Sequence, residues 1–226
     1  MFLRYIRCQR VVAMNVFVLC TGRCGSMTFA RACDHIENFS SGHETRRGEI
    51  VRRIGDYPNN HIEVDNSLSW LLGRIEEVYG DDAFYVHLKR NREDTVKSFA
   101  RRPGRVPKAY GRLLGVSAED VDVEDIHRHY YETVNTNIEA FLRDKTHYME
   151  FCLETAENNF RMFWEHIGAT GDIESALGEW GRKYNASDSD EAYSSSTEKS
   201  SFSFIPRAFR KMQRIAYKLP GFLRDA

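Results

Sequence analysis

The sequence predicts an α/β domain in three layers, with helices packed on both faces of a mostly parallel sheet. Three observations carry that reading. Val16-Phe17-Val18-Leu19-Cys20 is an unbroken apolar run that enters a glycine-punctuated loop and then a helical segment, the order of a buried parallel strand followed by its crossover helix. Phe84-Tyr85-Val86-His87-Leu88 repeats the pattern and runs into Lys89-Arg90-Asn91-Arg92-Glu93-Asp94-Thr95-Val96-Lys97-Ser98-Phe99. Around them, short apolar runs alternate with stripes of helical period, which is how successive βα units read.

The elements follow in order. Residues 1–13 carry Arg4, Arg7 and Arg10 and read as an N-terminal extension to a domain spanning 14–186, with Met14 an alternative start of translation. The first helix continues from Met27 to Ile36, and Phe39-Ser40-Ser41-Gly42-His43-Glu44 reads as a polar turn. His61 to Asp65 alternates as a half-buried strand, and Leu68, Leu71, Leu72, Ile75 and Val78 stripe a helix over 67–78 that Asp65, Asn66 or Ser67 would cap. Glu63 and Asp65 are assigned to capping and structure ahead of catalysis, and Trp70 to the core ahead of a nucleobase platform.

After Ser98, the density of Pro103, Gly104 and Pro107 among Arg101, Arg102, Arg105 and Lys108 predicts an irregular, mobile lid over residues 101–125, with Ser117-Ala118-Glu119-Asp120 as a capping box. A stripe from Ile126 to Leu142 predicts a helix over about 126–143, and His147 to Phe151 a strand. Phe160, Phe163, Trp164 and Ile167 mark a helix stopping at Gly168; Ile173, Ala176, Leu177 and Trp180 mark another. Composition breaks after Asn185. Residues 187–201 are a serine-rich linker, and 202–226 place Phe209, Met212, Ile215 and Leu219 among Arg207, Arg210, Lys211, Arg214 and Lys218, a basic amphipathic helix suited to an anionic membrane surface, a partner or its own domain.

The chemistry is concentrated at the two strand exits. At a strand-to-helix junction the opening amides of the helix lack carbonyl partners and the helix dipole adds positive charge, so Gly22-Arg23-Cys24-Gly25-Ser26-Met27-Thr28 is an anion cradle. Gly22 and Gly25 allow close backbone approach, Arg23 adds a cation, and Ser26 and Thr28 add hydroxyls. A Walker A loop needs lysine directly after its second glycine, and here Ser26 follows Gly25. Arg90 leaves the carboxyl end of the second strand, where open α/β sheets bind their ligands, and Ser98 lies in the helix beyond it. A Walker B strand would end in an acidic residue; this one ends in cations.

Arg23-Cys24-Gly25-Ser26 and the span from Arg90 to Ser98 resemble the two signature motifs of sulfotransferases that use 3′-phosphoadenosine-5′-phosphosulfate (PAPS). The resemblance covers about residues 15–186 and implies a P-loop NTPase-like sulfotransferase fold. It implies that Gly22 to Thr28 hold the 5′-phosphosulfate, that Arg90 and Ser98 hold the 3′-phosphate, and that Arg23 stabilises charge on the leaving phosphate. No metal is needed in such a reaction, and the product is 3′-phosphoadenosine-5′-phosphate (PAP). In several branches the general base lies near the segment containing His43 and Glu44, so both are candidates, Glu44 slightly favoured. Cys24 departs from the family's usual serine and weakens hydroxyl donation there. Arg92 stands where proline is common.

Composition sets the outer limits. With 226 residues and a net charge of −1, the chain is long enough for one α/β core and carries no overall charge that calls for nucleic acid. Its five cysteines, Cys8, Cys20, Cys24, Cys33 and Cys152, show no zinc spacing, and a reduced, cytoplasmic setting is expected. His127, His129 and His166 are assigned no ligand role. Two other classes compete: a P-loop kinase of small metabolites, and a noncatalytic protein that keeps the nucleotide fold for binding.

Overall fold

The computed structural model describes residues 14–50, 52–101, 105–116 and 121–182. Residues 1–13, the capping box at 117–120, the linker at 187–201 and the basic helix expected at 202–226 lie outside the described residues. The chain folds as α/β, a five-stranded sheet in the order β2-β3-β1-β4-β5 with every pairing parallel. The strands are β1 (Val16–Cys20), β2 (Ser40–His43), β3 (His61–Val64), β4 (Phe84–Lys89) and β5 (Tyr148–Cys152). The helices are α1 (Ser26–Cys33), α2 (Leu72–Tyr79), α3 (Arg92–Arg101), α4 (Arg105–Leu113), α5 (Val123–Leu142), α6 (Ala156–His166) and α7 (Ile173–Gly178).

β1 is central, and all of its residues are buried. Its alternating side chains feed two cores, as the pleat requires. Val16, Val18 and Cys20 face a layer containing Phe29 of α1, Phe160 and Phe163 of α6 and Leu177 of α7. Phe17 and Leu19 face Leu68, Ile75 of α2, Phe99 of α3, Tyr110 of α4 and Tyr130, Val134 and Ile138 of α5. α1 has only eight residues, too short to be stable alone. Phe29 anchors it, with ring centroids 5.0 Å from Phe151 and from Phe163. No helix among the described residues is long and apolar enough to cross a membrane.

Several sequence expectations are corrected by tertiary context. The polar turn at 39–44 is instead the edge strand β2, paired along β3 from Ser40↔His61 to His43↔Val64. An edge strand on the rim needs backbone pairing more than apolar side chains. β3 is fully buried where half-burial was expected, because it lies between β2 and β1. Its Glu63 is satisfied by the Thr45 amide at 2.8 Å, the Thr45 hydroxyl and His61 Nε2 at 3.1 Å.

The single helix expected over 67–78 is split into a 3₁₀ turn, Asn66–Trp70, and α2. Asp65 caps the turn, accepting from the Ser67 amide at 2.7 Å. α1 ends at Cys33 rather than Ile36. Trp70 is 38% exposed rather than core, although its ring stacks on Tyr130 at 6.0 Å. The lid expected over 101–125 contains a regular helix, α4, with Pro107 in its first turn, where the missing N–H has no intrahelical partner to lose. α5 begins at Val123, earlier than the apolar stripe suggests, because Asp122 caps it by accepting from the Glu124 amide at 2.8 Å. Asp122→Ala is expected to cost about 1 kcal/mol, read as a lower denaturant midpoint with an unchanged slope.

Burial also sets an acid limit. His87 is fully buried with Nε2 2.8 Å from Asn135 Oδ1, and His127 is buried against the ring of Phe99 at 5.6 Å. Desolvation holds both imidazoles below their ordinary range, so the unfolded chain binds protons first as pH falls. Stability is therefore expected to be fullest above about pH 6.5, the unfolded imidazole value, and to decline as pH drops from there toward the folded values. Denaturant melts at pH 7.5 and 5.5 check this; equal midpoints would refute it.

Candidate nucleotide and acceptor site

Left-handed backbone is concentrated where the first loop turns. Gly22 has φ 80°, Arg23 φ 58° and Gly25 φ 89°, a conformation that favours glycine and is costly for arginine. A Cβ on Gly22 would lie 2.6 Å from Asn66 Nδ2, and one on Gly25 2.7 Å from Leu153 Cδ1. The loop is thus pressed between the 3₁₀ turn on one side and the exit of β5 on the other. Ser69 of the same turn braces the end of β1, its Oγ accepting from the Cys20 amide at 3.1 Å and donating to the Cys20 carbonyl at 3.0 Å.

Gly25 is the N-cap of α1 and makes no side-chain cap bond, which leaves the opening turn of Ser26, Met27 and Thr28 suited to an external anion. Ser26 Oγ lies 3.2 Å from His43 Nε2, and Thr28 is buried. Cys24, within the loop, is buried. A hydrogen bond from the Cys20 thiol, with the amides of Gly22, Cys24 and Ser26, holds its ionisation below the usual thiol range against the effect of burial. The same contact, with burial, pushes Cys20 up.

The second strand exit meets the first. Arg90 Nη1 donates to the Arg23 carbonyl at 3.2 Å, and Arg23 Nε donates to Ser98 Oγ at 3.1 Å. Arg23, Arg90 and Ser98 therefore form one connected group at the carboxyl ends of the neighbouring strands β1 and β4. Asn91 caps α3, its Oδ1 accepting from the Asp94 amide at 3.2 Å. The Asn91 amide donates to Glu154 Oε1 at 2.7 Å.

The two candidate bases have different surroundings. His43 ends β2, beside Val64 of β3, within hydrogen-bond reach of Ser26, and desolvation holds its imidazole below the ordinary range. That favours the neutral imidazole, whose free ring nitrogen has a lone pair to accept a proton. Glu44 takes a left-handed conformation, φ 52°, and its carboxylate accepts from Arg47 Nη1 at 2.6 Å. Behind them, Asp65 is fully buried and joined to Arg53 Nη2 at 2.5 Å; burial raises its carboxyl above the usual range.

Sequence reasoning missed several residues that shape this site. Asn66, Ser69, Leu153 and Glu154 touch the two strand exits from segments remote in sequence. So do Tyr130 and Tyr131, whose hydroxyls donate to the carbonyls of Thr21 at 2.7 Å and Arg90 at 2.8 Å. Tyr130 had been legible only as one position in an apolar stripe; a core tyrosine whose hydroxyl must find a partner is the signal it offered. Among the described residues, no group of three or more His, Cys, Asp or Glu is arranged to hold a metal ion. Compared with known protein families and with curated proteins, the sequence matches none.

Proposed function

We propose that this chain is a sulfotransferase that moves a sulfuryl group from PAPS to an acceptor hydroxyl, or an amine, by in-line attack. The observation that carries the reading is the junction at Arg23, which is hydrogen-bonded to Arg90 and to Ser98 of a second loop some seventy residues away, beside an uncapped helix start. A nucleotide carrying anionic groups at both its 5′ and 3′ ends fits two adjacent cationic loops better than one with a single phosphate chain. The loop backbone fits as well, since Gly22 and Gly25 turn it through positive φ angles of 80° and 89° that glycine adopts at little cost.

In this reading the amides from Gly22 to Thr28 hold the 5′ end, and Arg90 with Ser98 holds the 3′-phosphate. PAPS supplies the transferable sulfuryl group. Arg23 places a fixed cation where negative charge grows on the leaving phosphate, the kind of preorganised stabilisation that is usually the largest catalytic contribution. His43, neutral and beside Ser26, accepts the acceptor's proton at Nε2; Glu44 is the competing base. The acceptor itself is a hydroxyl or amine compound, and contact with a membrane or protein partner is assigned to residues 202–226.

A thermal-shift screen of PAP, ADP and ATP, each with and without magnesium, tests the assignment. PAP at about 100 times its Kd is expected to add about 2.7 kcal/mol, a rise of roughly 5–10 °C, with no need for magnesium. A larger shift from ATP that depends on magnesium would establish the kinase reading instead. Binding of PAP without turnover of any acceptor would leave the noncatalytic one.

A further inference from the structure

We infer that α5 sets the separation of the two anion loops, and that Tyr131 is the positioning residue that makes a 3′-phosphate count in nucleotide selection. The inference rests on the sulfotransferase reading for the identity of the nucleotide. Its geometry comes from two consecutive residues reaching two different loops. The Tyr130 hydroxyl donates to the Thr21 carbonyl at the exit of β1, and the Tyr131 hydroxyl to the Arg90 carbonyl at the exit of β4. Successive side chains on a helix diverge by about 100°, so a single step along α5 can serve both loops while the rigid helix holds their spacing.

The two tyrosines are held differently. Tyr130 is fully buried, its ring 5.6 Å from Phe99 and 5.7 Å from Tyr110, so packing places its hydroxyl. Tyr131 is only half-buried, and what it holds is the main chain of the residue whose guanidinium reaches across to the Arg23 carbonyl. Arg90 is thus tied at its carbonyl to α5 and at its side chain to the first loop. The next peptide is tied again, through the Asn91 amide, to Glu154. Removing the Tyr131 hydroxyl deletes one of these ties without touching the cradle at Gly22 to Thr28.

Charge-assisted hydrogen bonds depend steeply on distance and angle, so a cation whose backbone is less firmly held loses more of its interaction with a phosphate than of its own folding contacts. The loss falls on the 3′-phosphate, because Arg90 serves that end. Tyr130 acts on Thr21, and so on the loop that every 5′-phosphorylated nucleotide needs. Neither tyrosine is required to touch the nucleotide.

Isothermal titration of PAP and of adenosine 5′-phosphate against the full chain separates the two effects. Tyr131→Phe is expected to weaken PAP about five- to tenfold and leave adenosine 5′-phosphate unchanged, so the ratio of the two affinities falls by that factor. Tyr130→Phe is expected to weaken both equally and preserve the ratio; should that variant not fold, the Tyr131→Phe ratio decides alone. A purely structural role for Tyr131 would lower the melting temperature and both affinities together, leaving the ratio as in the wild type, and that result overturns the inference. A wild-type chain that binds the two nucleotides equally overturns the sulfotransferase reading instead.

Discussion

PAP is expected to bind the wild-type chain roughly 10- to 150-fold more tightly than adenosine 5′-phosphate, and Arg90→Ala to erase most of that difference. The range corresponds to about 1.5–3 kcal/mol for a hydrogen bond to a charged group. Arg90 is placed to supply it, since its guanidinium already lies against the first loop at the Arg23 carbonyl and Ser98 is joined to the Arg23 side chain. Ser98→Ala should remove a smaller part of the same difference. Arg23→Ala should weaken both nucleotides and slow turnover, because in the proposed reaction that side chain serves both the cradle and the developing charge. Equal affinities of the wild type for PAP and adenosine 5′-phosphate would refute the role given to the second loop.

The largest effect on turnover is expected from the general base. His43→Ala should lower sulfuryl transfer by about 100- to 10,000-fold while leaving PAP affinity nearly unchanged, the range typical for a positioned proton acceptor. Glu44→Gln is the paired variant; a large loss there with normal turnover in His43→Ala would assign the base to the carboxylate. The pH profile gives a second criterion. Desolvation holds the His43 imidazole below its ordinary range, so the neutral, proton-accepting form persists into mildly acidic solution. The fall in turnover on acidification should therefore be centred below about pH 6.5, the midpoint of an ordinary imidazole. A decline that begins well above pH 7 would exclude a desolvated imidazole as the base.

The strands and helices that were legible in the sequence share one property. Each of β1, β4, α5 and α6 buries enough of its own surface to mark itself, the strands as unbroken apolar runs and the helices as stripes, so Val16 to Cys20 reads as a strand and Phe160, Phe163 and Trp164 as a helical stripe without knowledge of their neighbours. The elements that were misread lack it. β2 is Ser40-Ser41-Gly42-His43, polar at every position, and it is a strand because β3 offers it a parallel edge. α4 contains Pro107 and Gly111 and is a helix because Tyr110 seats it on α5, with its hydroxyl 2.6 Å from His129 Nδ1 and 2.9 Å from Thr133 Oγ1.

The candidate site divides along the same line. By itself the sequence determined the three-layer α/β class, the glycine-punctuated loop with Arg23 at a strand-to-helix junction, and a second cationic exit running from Arg90 to Ser98, because each of these depends on residues close together in the chain. Only the tertiary structure decided that the two exits adjoin and share hydrogen bonds, that His43 faces Ser26 while Glu44 engages Arg47, and that Tyr130 and Tyr131 tie the loops to α5. The physical reason is the order of the sheet. With β1 lying between β3 and β4, loops separated by some seventy residues emerge side by side at the same edge, a proximity that local pattern does not encode.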